Sequence, residues 1–169
     1  LQLLGRDDYD LAERLSERYR AHYRGSLVAA EGREGLFPGA REALEHLSAQ
    51  SEVVMGIATG KGLNGVHRLT QLHNIAHHFV TLQTPDSNPS KPHPGMMLQA
   101  MAATGAEKHR TVIIGDTTFD MEMGKAAGTR TIGVTWGYHD AVELRGAGAD
   151  MLIEGYEDLP AAIDSILEN

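Results

Sequence analysis

Hydrophobic residues in the second part of the chain form short runs, separated by segments with helical spacing. The apolar runs predict strands at residues 53–58, 79–82, 112–115, 131–135 and 151–153. Apolar positions three and four residues apart predict helices at residues 38–47, 63–73, 94–104, 119–127 and 159–167. Because buried strands alternate with helices, we expect a parallel sheet with a helical layer on each face, which is a three-layer α/β fold.

Residues 1–33 follow a different pattern, without an apolar run of the strand type. Apolar and aromatic side chains recur there at four-residue steps and predict one amphipathic helix, with the positions Leu11, Leu15, Tyr19 and Tyr23. Gly25 ends this pattern, and a linker rich in Gly and Glu follows. We therefore predict a helical segment at residues 1–33 and a separate α/β core at residues 34–169.

The composition favours a protein that acts away from membranes and nucleic acids. The 169 residues include no cysteine, so the sequence suggests neither a disulfide framework nor a thiolate metal site. No apolar run is long enough to span a bilayer. The formal net charge is −8, and an acidic chain binds polyanions poorly. We expect a cytoplasmic protein with a small ligand.

Two acidic residues follow the strand predicted at residues 112–115. Gly115 permits the close approach of a ligand, and Asp116 then lies at the carboxyl end of a strand, where open α/β sheets bind their ligands. Asp120 follows one helical turn later. Two carboxylates at such a place favour a hard divalent cation, above all Mg²⁺ that keeps several waters and holds a phosphate. Alternatively, Asp116 and Asp120 start the next helix as its N-cap and first-turn acid.

Two further polar segments lie near strand ends. Thr59 and Gly60 follow the strand at residues 53–58, and a hydroxyl with exposed backbone N–H groups can hold a phosphate oxygen there. Alternatively, Thr59 caps the next helix. Lys91 lies in a proline-rich turn whose stiff backbone directs the ammonium group, so that it can neutralise a phosphoryl group and a nearby carboxylate. Alternatively, Lys91 is a solvated surface residue.

Taken in order, these segments resemble the motifs of a known family. Residues 57–61 (Ile-Ala-Thr-Gly-Lys), 90–94 (Ser-Lys-Pro-His-Pro) and 114–120 (Ile-Gly-Asp-Thr-Thr-Phe-Asp) look like motifs two, three and four of the haloacid dehalogenase superfamily. The resemblance covers nearly the whole chain and includes residues 37–39, 84–86, 133–139 and 147–150. The most similar subgroup is the phosphoglycolate phosphatase-like phosphatases with a helical cap.

The resemblance implies a Rossmann-like core, a partial helical cap at residues 1–33 and a Mg²⁺-dependent phosphatase of small phosphorylated metabolites. Thr59 and Gly60 would hold the phosphoryl oxygens, and Lys91 would neutralise the phosphate and the nucleophile. Thr59 and Lys91 are thus the catalytic candidates. Asp116 would bind the metal, and Asp120 would support the metal site directly or through water. In such enzymes an aspartate attacks phosphorus, and water then cleaves the aspartyl-phosphate.

One motif of the family has no counterpart in this sequence. Family members carry an Asp-x-Asp pair at the end of an early strand, with one aspartate as nucleophile and the other as general acid and base. Asp7 and Asp8 lie in a polar stretch and do not match this pattern. The missing segment would also supply the central strand, between those ending at Thr59 and Gly115. We therefore expect the chain to be the larger C-terminal portion of a longer enzyme, inactive as it stands.

Several alternatives stay open at this point. The superfamily also includes pyrophosphatases, phosphomutases and dehalogenases, and without a nucleophile the chain could be a non-catalytic module that binds phosphorylated ligands or a partner. A dehalogenase needs no metal, so the acidic pair disfavours it. His139 would either line the active-site edge or support a loop. His73, His77 and His78 could bind zinc, but the spacing fixes no third ligand. The exact substrate and the oligomeric state do not follow from the sequence.

Overall fold

The computed structural model describes residues 35–168, in which strands and helices alternate strictly along the chain. The five strands are β1 (Met55–Ala58), β2 (Phe79–Gln83), β3 (Val112–Gly115), β4 (Arg130–Val134) and β5 (Met151–Ile153). The six α-helices are α1 (Ala40–Ser48), α2 (Leu63–Leu72), α3 (Gly95–Thr104), α4 (Thr118–Ala127), α5 (Ala141–Gly146) and α6 (Leu159–Glu168). The α/β class predicted from the sequence is confirmed.

All strand pairs are parallel, and they form two sheets. In the first sheet β1 pairs with β2, and Ala58 lies opposite Gln83 at the carboxyl end. In the second sheet β4 is central, between β3 and β5, and Gly115 lies opposite Gly133. Within residues 35–168 no strand bonds β1 to β3. That a further strand lies between them stays a prediction.

Two clusters of buried side chains connect the sheets. The first packs α1 and α6 against β4 and β5, and Met55 of β1 and Val112 of β3 both pack against it. The second packs α3 against α4 and includes Ile113 of β3, and Ala58 of β1 packs against it. Because each cluster touches both β1 and β3, helices bridge the two sheets and complete the layered arrangement.

Within residues 35–168 the predicted strands and helices are all present, with bounds shifted by no more than two residues. Among the α-helices of this range the sequence does not predict α5, because it has six residues and buries a single large side chain, Leu144. Its sequence signal is a capping box at its start. Asp140 accepts hydrogen bonds from the Val142 and Glu143 N–H groups, and the Glu143 carboxylate accepts one from the Asp140 N–H.

The expectation that β1 is covered on both faces is wrong. Gly56 is exposed, and Val54, just before the strand, is 56% exposed. On β3, Ile114 is 38% exposed. These residues lie on or beside β1 and β3, and within residues 35–168 each of these strands pairs with one strand only.

The amphipathic helix predicted within residues 1–33, and its assignment as a partial cap, lie outside the described residues. The boundary predicted between residues 33 and 34 therefore stays a prediction. Among the helices of residues 35–168, none combines the length and the apolar character needed to cross a membrane.

Candidate active site

Asp116 follows β3 directly and is held by backbone groups of the segment after β4. The Tyr138 N–H donates to Asp116 Oδ2 over 3.1 Å, and the His139 N–H donates to the Asp116 carbonyl over 3.1 Å. This approach requires a glycine at Gly137, because a Cβ there would lie 2.1 Å from the Asp116 Cβ. The carboxylate is thus oriented through one oxygen, and within residues 35–168 its Oδ1 accepts no hydrogen bond.

Asp120 lies in the first turn of α4 and is only 5% exposed. Its Oδ2 accepts hydrogen bonds from the Thr117 N–H and hydroxyl over 3.1 and 2.6 Å, and the Asp120 N–H donates back to Thr117 Oγ1. The two residues form a capping box. A Cβ at Gly115 would lie 2.3 Å from the Asp120 Cβ, so only glycine leaves room. The alternative that the two aspartates start the helix is confirmed for Asp120, which is the first-turn acid, but it is wrong for Asp116, because the N-cap is Thr117.

Lys91 reaches Asp120 from the loop between β2 and α3. Its Nζ donates to Asp120 Oδ1 over 2.5 Å, and the two side chains are 18% and 7% exposed. Because little water surrounds this ion pair, its attraction is screened far less than that of a surface pair. The alternative of a solvated surface lysine is therefore wrong. Both oxygens of Asp120 now have a partner, Lys91 on Oδ1 and Thr117 on Oδ2.

Thr59 and Gly60 begin an open loop at the carboxyl end of β1. The Thr59 N–H continues the parallel ladder to the Gln83 carbonyl, and the Thr59 hydroxyl accepts a hydrogen bond from the Lys61 N–H over 3.2 Å. Gly60 is exposed, and a Cβ there would meet no atom within 4 Å. The N-cap of α2 is Gly62, so the alternative that Thr59 caps this helix is wrong.

A side chain from the neighbouring strand takes over the capping of α2. Asp86, after β2, accepts the Leu63 N–H on Oδ2 over 2.7 Å and the Thr84 hydroxyl on the same oxygen over 2.9 Å. The Leu63 hydrogen bond, followed by that of Thr84, lowers the pKa of Asp86. The loops after β1 and β2 are therefore tied together at the start of α2.

A cavity of about 170 Å³ opens beside Asp116. Its lining includes Phe37, Ile114, Trp136 and Tyr156. Burial raises the pKa of Tyr156, and the nearby Asp116 carboxylate raises it further. Tyr156 therefore carries a neutral hydroxyl at neutral pH, and the centroid of its ring lies 4.9 Å from that of the Trp136 ring.

The histidines considered for zinc do not assemble into a site. His78 Nδ1 lies 2.5 Å from the Ser48 hydroxyl oxygen, and the rings of His77 and His78 are 4.0 Å apart. Desolvation lowers the pKa of His78, with a further contribution from His77. In the described part of the chain no three potential ligands come together, there or elsewhere.

The structure brings Lys91, Asp116 and Asp120 together around the start of α4. Thr59 and Gly60 follow β1 in the other sheet, and in the described range no hydrogen bond or ion pair joins them to that group. Of these two aspartates, Asp116 has a carboxylate oxygen without a hydrogen-bond partner within residues 35–168, whereas both oxygens of Asp120 have one. Such a site fits Mg²⁺, which takes one or two protein carboxylates and completes its shell with water and phosphate oxygens.

Comparison with known proteins identifies the family of the chain. A family model described as haloacid dehalogenase-like hydrolase matches residues 6–134, which is most of the chain. The chain belongs to this family. A solved structure, that of a hydrolase from Pseudomonas syringae, superposes with a TM-score of 0.81 at 28% identity, covering 98% of this chain and 74% of that one.

Relatives of this haloacid dehalogenase-like chain carry phosphatase names. The probable phosphatase IndB of Dickeya dadantii is 33% identical and aligns with 79% of this chain and 58% of its own length. The pyrophosphatase PpaX of Oceanobacillus iheyensis is 29% identical, with 90% and 70% covered. The phosphoglycolate phosphatase of Haemophilus influenzae is 26% identical, with 87% and 64% covered. The chain thus spans 58–70% of the length of these three relatives.

Two residues that shape this site, Thr117 and Asp86, have a signal in the sequence. Thr117 and Asp120 have the Thr-x-x-acid spacing of a capping box directly before a helix. Asp86 lies two residues after Thr84, in a short polar turn that follows β2. This turn belongs to the segments that resemble the family, but the resemblance assigns no role to Asp86. The roles of Thr59, Gly60, Lys91, Asp116 and Asp120 towards a substrate or metal stay predictions.

Proposed function

We propose that the chain is the core of a cytoplasmic, Mg²⁺-dependent phosphatase that acts on small phosphorylated metabolites through an aspartyl-phosphate. The observation that carries this proposal is the poorly hydrated Lys91–Asp120 ion pair beside Asp116 at the carboxyl end of β3. A fixed cation next to an oriented carboxylate is what a site needs in order to bind a phosphoryl group and a divalent metal together. The family membership supports the same reaction class.

Each residue has a defined task in this proposal. The Lys91 ammonium, held by Asp120 Oδ1 at 2.5 Å, faces the negative charge of the phosphoryl oxygens. Thr59 and the exposed backbone at Gly60 donate hydrogen bonds to those oxygens from the other sheet. Asp116 would hold Mg²⁺ through Oδ1, the oxygen that the Tyr138 N–H leaves accessible. Asp120 acts on the metal site indirectly, because its own oxygens are already hydrogen-bonded.

The chemistry needs a carboxylate nucleophile, which we place on a strand between β1 and β3. Its oxygen forms a bond to phosphorus while the bond from phosphorus to the substrate alcohol breaks, and the alcohol takes up a proton. Water then attacks phosphorus and the carboxylate leaves. Bound Mg²⁺ would neutralise charge on the transferring phosphoryl oxygens. The residues described here supply position and charge, which is most of what phosphoryl transfer requires.

Phosphoglycolate is the leading substrate candidate, because a relative named for that activity aligns over most of the chain. Inorganic pyrophosphate is the second candidate, since another relative is a pyrophosphatase. Phosphomutase activity and non-catalytic phosphate binding are the remaining alternatives. A substrate panel that contains phosphoglycolate, pyrophosphate and sugar phosphates separates these possibilities.

The test measures phosphate release by the whole native polypeptide, including any residues that precede Leu1, with and without Mg²⁺. We expect Mg²⁺-dependent release, and a loss of about 100-fold or more for Asp116→Asn, in the range found when one charge-stabilising group is removed. Asp164→Asn, an exposed change on α6, is the matched control and should keep full activity. Background release over the whole panel, or equal release without metal, would contradict the proposal.

A further inference from the structure

His139 contacts the start of α4 in two ways that the proposed reaction does not use. Its backbone N–H donates to the Asp116 carbonyl over 3.1 Å. Its ring accepts at Nδ1 a hydrogen bond from the Thr118 N–H over 2.9 Å. Thr118 is the first residue of α4, where backbone N–H groups have no partner within the helix. The segment after β4 is therefore hydrogen-bonded to both ends of the short turn that carries Asp116.

We propose that His139 is a positioning residue that fixes the direction of Asp116 through the hydrogen bond that its Nδ1 accepts from the Thr118 N–H. This inference rests on the proposed role of Asp116 as the metal ligand. The N–H of the preceding residue, Tyr138, donates to Asp116 Oδ2. By anchoring residue 139, the His139 ring therefore also fixes the position of the Tyr138 N–H. Without the Nδ1 contact, the Tyr138–His139 segment loses its anchor to α4, and the carboxylate loses its orientation.

The surroundings of the ring fit an anchoring task. His139 is half-buried, and its ring centroid lies 6.2 Å from that of Phe119, which follows Thr118 on α4. Gly137 lies so close to Asp116 that a Cβ at residue 137 would overlap the Asp116 side chain. An imidazole that accepts at Nδ1 carries its proton on Nε2, so the contact selects one tautomer. The tautomer gives the inference a signature that does not depend on activity.

The experiment compares variants that keep or remove an acceptor at the position of Nδ1. His139→Asn places its carbonyl oxygen near that position, whereas His139→Leu has no acceptor and His139→Gln places one a bond further out. Mn²⁺ affinity of the whole native polypeptide is measured by electron paramagnetic resonance, with Mn²⁺ as the probe for the Mg²⁺ site. We expect His139→Leu and His139→Gln to weaken Mn²⁺ binding by about 10-fold or more, as is typical for groups that orient a metal ligand, and His139→Asn to stay close to wild type.

Two controls separate orientation from folding. His109→Leu, at an exposed histidine before β3, should leave Mn²⁺ affinity unchanged. ¹⁵N nuclear magnetic resonance of the unsubstituted protein should show His139 with its proton on Nε2. Unchanged Mn²⁺ affinity in both His139→Leu and His139→Gln would overturn the inference, and so would equal weakening by Asn, Leu and Gln. If His139→Leu does not fold, the Mn²⁺ affinity of His139→Gln and the tautomer of His139 in the unsubstituted protein test the inference.

The same series distinguishes the two proposals. Asp116→Asn should weaken Mn²⁺ binding more than any His139 variant. If it does and His139→Leu and His139→Gln do not weaken binding at all, the positioning role is wrong while the metal role of Asp116 stands. If Asp116→Asn leaves Mn²⁺ affinity unchanged, the metal role is wrong and the positioning role falls with it.

Discussion

The turn after β3 and the loop after β1 both follow the carboxyl end of a strand, yet they are built in opposite ways. Asp116 and Asp120, after β3, receive hydrogen bonds from three other segments of structure: the start of α4, the segment after β4 and the loop that carries Lys91. Thr59 and Gly60, after β1, have one local hydrogen bond from Lys61 and open space around Gly60. The turn after β3 is thus preorganised by its hydrogen bonds, and the loop after β1 is open to a ligand.

The difference follows from what each region has to hold. Like and unlike charges that are close together need fixed partners before a ligand arrives, because an unpaired buried charge is costly. A loop that offers backbone N–H groups to a phosphate has to leave those groups uncovered. Substitutions at Lys91, Asp120 or Gly137, which hold the turn after β3 together, should therefore damage the fold, whereas substitutions in the loop after β1 should damage only binding.

Lys91→Met should have the largest effect on stability, because it leaves Asp120 buried without its counterion. We expect the free energy of unfolding in urea to fall by about 3 kcal/mol, the lower end of the cost of breaking a buried pair. Asp120→Asn in the same chain should recover part of this loss. The matched control is Lys125→Met, which breaks an ion pair with Asp150 whose lysine is 45% exposed, and should cost less than about 1 kcal/mol. Equal costs for the two lysines would contradict the contrast.

Gly137→Ala should come second, because the new Cβ would lie 2.1 Å from the Asp116 Cβ. Relieving such an overlap typically costs about 1–3 kcal/mol of the free energy of unfolding. Gly60→Ala is the matched change in the open loop, where a Cβ meets nothing within 4 Å. We expect Gly60→Ala to leave urea stability close to wild type. Similar losses in both variants would show that the loop after β1 is as tightly built as the turn after β3.

Acidic pH should produce the smallest effect, through Asp86. The Leu63 N–H lowers the pKa of Asp86 below its usual 3.8, so the folded state binds this proton less readily than the unfolded state. The stabilising contribution is therefore full above about pH 4 and is lost as the pH falls through the lowered pKa. Urea unfolding of wild type and Asp86→Asn should differ at pH 6 and converge at lower pH. A constant difference across that range would argue against a role for the charge.

Much of the fold could be read from the sequence, because apolar runs and helical spacing report burial directly. β3 and β5 lie at the residues predicted for them. The spacing could not reveal α5, whose six residues bury one large side chain, although Asp140 and Glu143 mark its start. It also mispredicted the burial of β1, because an apolar run indicates a strand but does not show what packs on each of its faces.

The site was predictable as a set of residue types, but not as a set of contacts. The order of Thr59, Lys91, Asp116 and Asp120 pointed to phosphate and metal chemistry. That Lys91 pairs with Asp120 rather than pointing into solvent depends on how α3 and α4 pack, which no local pattern records. The hydrogen bond from Thr118 to His139 spans 21 residues and is likewise a result of the folded topology.

Asp120 has a consequence for how this sequence can vary over time. One carboxylate completes the helix cap with Thr117, neutralises Lys91 and fills the space that Gly115 leaves. A substitution of Asp120 therefore lowers the stability of the fold, whatever its effect on a substrate. Within residues 35–168 Asp116 forms no cap and no ion pair, so it is open to loss whenever catalysis is no longer needed. A descendant that has abandoned the reaction would thus keep its second aspartate longer than its first.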